Sequence, residues 1–190
     1  MGNNNRDYLN VIERKLIDEL RIFFNTVNSS ANDGKVFVSG QFPETEELKF
    51  PSVIVQQIGS GFEEQFVGEK VTFGGTEYSG EMYGVGYLIH IFIDKEAELD
   101  VGTAPQGSTK YRQRRLLNWM MLNIANVLSD IDWATASTST TGLGYNPAYD
   151  ASVDVQERHL QAWRDVGYST SMQWWGASAQ FMLTFLNYRS

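Results

Sequence analysis

The chain has 190 residues and a formal net charge of −8, from 15 basic and 23 acidic residues. This length predicts one domain whose core is large enough to be stable without a disulfide or a structural metal. The absence of cysteine excludes disulfides, thiolate metal sites and cysteine nucleophiles. The acidic balance disfavours a protein that wraps nucleic acid, and no stretch reaches the ~20 apolar residues of a membrane span.

The first predicted element is an amphipathic helix over residues 7–27, capped by Asn4 or Asn5. Its predicted buried stripe consists of Tyr8, Leu9, Ile12, Leu16, Leu20 and Phe23. Its predicted exposed side consists of Glu13, Arg14, Asp18 and Arg21. Short strands are then predicted at 36–38 and, after Pro51, at 53–58, with an acidic loop between them.

Residues 59–86 contain eight of the chain's 17 glycines. The Gly74-Gly75 pair between two strand-like pieces predicts a tight hairpin turn. The segment is either a disordered loop or a projecting β-hairpin arm, and its large apolar residues favour the arm, because such residues are rare in disorder. We expect the arm to contact a partner through Phe62, Phe66, Phe73, Tyr78, Met82 and Tyr83.

Residues 87–93 are almost all apolar on both alternating faces, which predicts a central strand. Four carboxylates follow at every second position, namely Asp94, Glu96, Glu98 and Asp100. If the strand continues through them, all four face one way, and repulsion between like charges predicts that this side is open to water.

A second amphipathic helix is predicted over residues 110–131, capped by Ser108 or Thr109. Its predicted buried stripe is Leu116, Leu117, Met120, Met121, Ile124, Val127, Leu128 and Ile131. The only basic cluster of the chain is Lys110, Arg112, Arg114 and Arg115. We interpret it as the solvated first turns of this helix, with an anion or partner site as the alternative.

Residues 134–150 form a predicted Ser/Thr-rich loop, residues 153–163 alternate weakly, and residues 177–188 predict a strong final strand. If Trp174 and Trp175 are extended, they point to opposite faces of the sheet, and we expect one of them to meet a partner. Together the elements predict a single α+β domain, with a mainly antiparallel sheet and two helices packed on one face.

The sequence carries no recognisable catalytic constellation. It lacks a glycine-rich phosphate loop and a nucleophile elbow. His90, in the central strand, is interpreted as a core or interface residue, and His90 and His159 are too far apart in sequence for a helical metal-binding spacing. No cofactor is predicted. The alternative is a small metal-dependent hydrolase that uses the four carboxylates, since hard cations take carboxylate ligands. Against it, a strand places them in a row rather than in a converging cage.

The layout of the chain resembles that of the tail terminator (tail completion) proteins of long-tailed bacteriophages. The resemblance lies in the first helix, the strand opened by Phe50-Pro51 and continued through residues 52–55, and the glycine-rich hairpin. It continues in residues 86–94, which lead to the second helix, and in the aromatic final strand. It covers most of the chain by layout rather than by a signature motif.

The resemblance implies a structural virion protein with no catalytic activity. Such proteins form a hexameric ring on the last ring of the tail tube, stop its growth and contact the head–tail connector or neck protein, while DNA passes through the middle. It implies a place at the head-proximal end of the tail, after assembly in the host cytoplasm, and no membrane partner. Glu96, Glu98 and Asp100 would then line the lumen. The alternatives are a neck or head-completion protein, the hydrolase, and a monomeric binding module.

Overall fold

The computed structural model describes residues 8–27, 32, 34–42, 48–65, 71–73, 76–102, 109–133, 154–171 and 173–189. For Tyr8, Asp154 and residues 61–65, 71–73, 76–81 and 186–189 it describes the backbone alone. The predicted caps Asn4, Asn5 and Ser108, and the predicted loop at 134–150, lie outside the described residues.

Two long helices are described, α1 at Tyr8–Thr26 and α2 at Gln113–Asp130. The prediction of a first helix is confirmed. The predicted start of the second helix is wrong, because its first three residues form a strand and α2 begins at Gln113. Thr109 does not cap α2, because the N-cap position is Arg112, which makes no side-chain cap hydrogen bond. The Thr109 carbonyl instead accepts a hydrogen bond from the Val101 amide at 2.9 Å. Neither described helix is long and apolar enough to cross a membrane.

Nine strands are described, and most of them pair antiparallel. They are β1 Phe37–Ser39, β2 Ser52–Gln65, β3 Val71–Phe73, β4 Thr76–Asp94, β5 Glu98–Asp100, β6 Lys110–Arg112, β7 Asp154–Leu160, β8 Arg164–Ser169 and β9 Trp174–Arg189. Among the described residues, seven strands form one sheet in the order β1-β2-β4-β9-β7, with β3 paired to β4 and β8 paired to β9. Only β1 and β2 pair parallel. Strands β5 and β6 form a separate two-stranded sheet. The predicted α+β class with a mainly antiparallel sheet is confirmed.

β4 is the centre of the large sheet, as its apolar pattern predicts. It pairs with β2 on one side and with β9 on the other, in register from Asp94↔Trp174 to Ser79↔Arg189. The glycine-rich segment therefore continues the sheet, and β9 adds a third strand where the sequence predicted a two-stranded hairpin. At ~3.4 Å per residue the 19 residues of β4 span ~65 Å, whereas the 19 residues of α1 span only ~28 Å. The projection of this end of the sheet as an arm stays a prediction.

The hydrophobic core lies between the two helices and one face of the sheet. Odd-numbered residues of β4, from Val85 to Ile93, face the helices and are buried. From α2 the buried side chains are Leu116, Leu117, Met120, Ile124 and Leu128, which confirms most of the predicted stripe. Met121 and Val127 of that stripe are half-buried. Both helices belong to this one cluster, so the predicted packing of two helices on one face is confirmed.

α1 is buried over a wider arc than its apolar stripe predicts. Asp18, which we expected to be exposed, is only 6% exposed, and Lys15 is 4% exposed. The Lys15 ammonium donates to the Asp132 carbonyl just beyond the end of α2, and it lies 5.9 Å from the centroid of the Trp133 ring. Burial raises the pKa of Asp18, and the nearby Arg21 guanidinium partly offsets this. Contacts with a distant part of the chain, which helical spacing does not encode, explain the burial of Lys15.

Candidate interaction surface

The face of the large sheet that points away from the helices is the candidate functional surface, and we call it the open face. On it Ile54 is buried, Leu88, His90, Phe92 and Trp174 are half-buried, and Ile58, Met182 and Phe42 are exposed. The β4 members alternate with the core residues of the same strand, so they lie on the opposite side. Side chains from β2, β4 and β9 are brought together here by the strand pairing.

An aromatic cluster occupies one end of the open face. The His90 and Phe92 rings are stacked, with centroids 5.8 Å apart and an interplanar angle of 13°. Phe42 packs on both, at 5.4 Å from His90 and 5.9 Å from Phe92. Trp174 meets Phe92 edge to face at 4.9 Å. This cluster combines large contact area with few rotatable bonds, which is typical of residues that anchor protein interfaces.

Glycine at position 176 makes room for the Trp174 indole. A Cβ atom at Gly176 would overlap the Trp174 ring, which therefore lies over the Gly176 backbone. The neighbouring Trp175 points to the helix side, where it packs against the core and lies 4.5 Å from the Tyr168 ring. The predicted opposite orientation of the two tryptophans is confirmed. Both keep part of their surface exposed, and a partner for either of them stays a prediction.

The open face has two buried polar atoms without a hydrogen-bond partner, Ser52 Oγ and His90 Nε2. Burial lowers the pKa of His90, which favours the neutral imidazole. A buried polar atom without a partner is costly, and in native proteins most such atoms are satisfied. Both atoms are already excluded from solvent, so a partner on this face would not reach them without a rearrangement.

Exposed apolar side chains extend the open face beyond the aromatic cluster. Ile58 is 48% exposed and lies at the bulge in β2, where it approaches the Gly86 position. Met182 on β9 is 39% exposed, and Phe42 is 41% exposed. Because these residues share one side of one sheet, a partner could cover them together.

The structure describes only part of the predicted contact set of the glycine-rich segment. Phe66 lies outside the described residues, and for Phe62, Phe73 and Tyr78 only the strand backbone is described. Met82 is half-buried in β4. Tyr83 is half-buried and stacks on Phe185 at 6.0 Å, so it packs against the core as well as standing near the surface.

The four alternating carboxylates do not form one row, because β4 ends at Asp94. The Asp94 carboxylate turns back to accept the amides of Glu96 at 3.1 Å and Ala97 at 2.6 Å. Glu96 is exposed, whereas Glu98 and Asp100 lie in β5 and are partly buried. The condition under which all four would face one way, a strand that continues past Asp94, is therefore not met. A place for Glu96, Glu98 and Asp100 in a lumen stays a prediction.

Glu98 pairs with two of the four residues of the basic cluster. Its carboxylate is paired with Arg112, directly opposite it on β6, and with Lys110 at 3.2 Å. Hydrogen bonds from Arg112 and Lys110 lower the pKa of Glu98. Arg114 pairs with Asp165, and the Arg115 guanidinium lies 3.9 Å from the Tyr111 ring centroid. All four basic residues thus have partners within the chain.

A mixed-charge groove of about 490 Å³ lies between α1 and β1. It is lined by Asn10, Glu13, Arg14, Ile17, Arg21, Ser39, Gly40 and Gln41. Burial raises the pKa of Glu13, whose carboxylate lies against Gly40. Within the described part of the chain, no group of three or more His, Asp and Glu side chains is arranged to hold a metal ion.

Sequence reasoning missed Phe42, which it placed in an acidic loop, and it placed His90 in the central strand without predicting the aromatic cluster around it. An apolar residue at the start of an otherwise acidic loop is the signal that could have suggested a contact for Phe42. Comparison of the sequence with models of protein families and with curated proteins finds no match.

Proposed function

We propose that this chain is a structural, non-catalytic subunit that assembles into a ring, as the tail terminators of long-tailed bacteriophages do at the end of the tail tube. The open face carries the proposal. It displays Phe42, Ile58 and Met182 to solvent beside an aromatic cluster, and assembly would bury them.

The partners follow from this role. In a ring, the open face meets a neighbouring subunit or the adjoining ring of the tail tube, and another surface contacts the head–tail connector or neck protein. The copy number expected from the resemblance is six. A net charge of −8 suits a lumen through which DNA passes without being retained, because like charges repel. The corresponding location is the head-proximal end of the tail in the virion.

A metal-dependent hydrolase is the weaker candidate. Its carboxylates would have to converge, but Asp94 is engaged by the amides of its own turn and Glu98 by two cationic side chains. Binding of Mg²⁺ or Ca²⁺ would need these contacts to break.

The experiment is a mass measurement in solution on matched variants. The wild-type mass measured by light scattering is expected to approach six times 21.5 kDa as concentration rises. Met182→Lys places a charge on the open face, whereas Leu122→Lys places one on the exposed side of α2, where Leu122 is 63% exposed. We expect Met182→Lys to prevent assembly and Leu122→Lys to permit it. A wild-type protein that stays monomeric, or equal assembly of both variants, contradicts the proposal.

A further inference from the structure

The groove between α1 and β1 contains a carboxylate that the described part of the chain does not neutralise. Glu13 projects into the groove from α1, and its half-buried carboxylate lies against Gly40. Burial raises the pKa of Glu13, and among the described residues no cation or hydrogen-bond donor offsets this effect. Burial and, to a smaller extent, the charge of Glu13 also raise the pKa of Tyr87 in the neighbouring core. The uncompensated charge of Glu13 therefore acts on both the groove and the core.

The two arginines that line the groove act on a different carboxylate. The Arg21 guanidinium donates to the Val38 carbonyl from Nε at 3.1 Å and from Nη2 at 2.7 Å, and it lies 4.0 Å from the Asp18 carboxylate. Burial raises the pKa of Asp18, and the charges of Arg21 and Arg14 both oppose this shift. Two cations thus compensate Asp18, and Glu13 is left as the unpaired charge of the groove in this part of the chain.

Gly40 makes the position of the Glu13 carboxylate possible. A Cβ atom at Gly40 would overlap Glu13 Oε1 and would lie 3.0 Å from Ile17 Cδ1. Because glycine has no side chain, the carboxylate can lie on the groove wall, with apolar surface from Ile17 beside it. Amide and hydroxyl side chains complete the lining, from Asn10, Ser39 and Gln41.

We propose that this groove binds an arginine side chain of a partner protein, with the guanidinium on the Glu13 carboxylate. A carboxylate that loses solvent without gaining a partner is costly, and a guanidinium supplies two parallel N–H donors to it. Ile17 offers apolar surface to the methylene groups of the arginine, and the amides of Asn10 and Gln41 suit its flanking peptide groups. The groove volume of about 490 Å³ lies within the ~300–1,000 Å³ of ligand sites.

The test compares two capped amino acids of nearly the same shape. N-acetyl-arginine N-methylamide carries the guanidinium, and N-acetyl-citrulline N-methylamide replaces it by a neutral urea group. Each is titrated into the protein at a concentration where light scattering shows single chains, and the NMR shifts of the backbone amides of residues 39–41 report binding. We expect the capped arginine to bind ~10-fold more tightly, as one hydrogen bond to a charged group implies. Equal affinities would overturn the proposal.

Two pairs of variants separate the charge of Glu13 from its position. Glu13→Gln should abolish the preference for the capped arginine, whereas Glu19→Gln, on the same helix and outside the groove lining, makes the same change in net charge and should keep it. Gly40→Ala retains the carboxylate but displaces it, and should weaken binding relative to Gly59→Ala, where a Cβ atom meets open space. Circular dichroism establishes that all four are folded. An unchanged preference in Glu13→Gln, or unchanged binding in Gly40→Ala, would refute the site.

Butylguanidinium distinguishes a protein side chain from a free small cation. It carries the same charged group without the flanking peptide groups, so we expect it to bind more weakly than the capped arginine. Equal or tighter binding of butylguanidinium would overturn the assignment to a partner protein. The site goes beyond the proposed ring and does not depend on it. Because the titrations use single chains, their failure would leave the ring standing, and a chain that never assembles would leave this site standing.

Discussion

Gly176 is the residue on which the position of Trp174 depends. The indole lies over the Gly176 backbone and meets the Phe92 ring, so a methyl group at position 176 must push it away. We expect Gly176→Ala to lower the free energy of unfolding by ~1–3 kcal/mol, as overpacking does. Gly59→Ala is the control, because a Cβ atom there meets open space. Urea unfolding of the two variants measures the difference, and equal stabilities would refute the role of Gly176.

His90 makes the stability depend on pH. Because burial lowers its pKa below 6.5 in the folded chain, the unfolded chain takes up the proton first as pH falls. Its contribution to stability is therefore complete above about pH 6.5 and is lost as pH falls towards the lowered pKa. We expect wild-type protein to lose more unfolding free energy between pH 8 and pH 5.5 than His90→Phe. His159→Gln, at an exposed position, is the control and should behave as wild type.

Alternation along strands was sufficient to predict which residues share a face. It placed Trp174 and Trp175 on opposite sides correctly, because a strand has a fixed period of two. It could not predict that Phe42 would join His90 and Phe92, since that contact joins parts of the chain far apart in sequence.

At the scale of elements, Asn32 connects the end of α1 to β5. Its side-chain amide donates to the carbonyls of Val27 at 2.9 Å and Asp100 at 2.5 Å, and its Oδ1 accepts the Asp100 amide at 2.9 Å. Asn32→Asp would turn a carboxylate oxygen towards two carbonyls, and we expect a loss of ~2–4 kcal/mol in unfolding free energy. Asn25→Asp, at an exposed position of α1, should cost little in the same urea titration. Similar losses of unfolding free energy in the two variants would contradict the role of Asn32.

The boundary between β6 and α2 shows where local cap signals mislead. The cap candidates Ser108 and Thr109 extend the predicted helix back to Lys110, although Tyr111, which is buried, does not lie on the apolar stripe of that helix. Cross-strand pairing of Glu98 with Arg112 instead holds these residues extended, and the helix starts at Gln113 with a positive φ of 53°. Such long-range pairing overrides a local preference that differs by well under 1 kcal/mol per residue.

The glycine-rich end of the sheet can be removed without touching the core. Deleting residues 67–81 and joining the ends by a short turn keeps Val85 and the rest of the buried face of β4. We expect cooperative unfolding with both helices retained, and loss of assembly, because the deleted segment carries the predicted contact residues Phe73 and Tyr78. Circular dichroism and light scattering measure the two effects. If the shortened chain is unfolded, the deleted segment belongs to the core. If the shortened chain assembles normally, the deleted segment makes no contact that assembly needs.

At the scale of the whole molecule, the sequence predicts the architecture better than the surface. Two amphipathic stripes and a two-sided apolar strand are enough to predict helices on one face of a sheet with β4 at its centre. Assembly needs contacts between copies, and these follow from exposed patches that only a folded chain reveals. Ile58 and Met182 are ordinary apolar residues in the sequence and become part of one surface only when β2, β4 and β9 are paired.

The most direct test of the proposed ring is negative-stain electron microscopy of the purified chain at the concentration where light scattering shows assembly. We predict closed rings of uniform diameter with a central opening and six-fold symmetry in class averages. Particles the size of one 21.5 kDa chain, or two-fold dimers without an opening, would contradict the account.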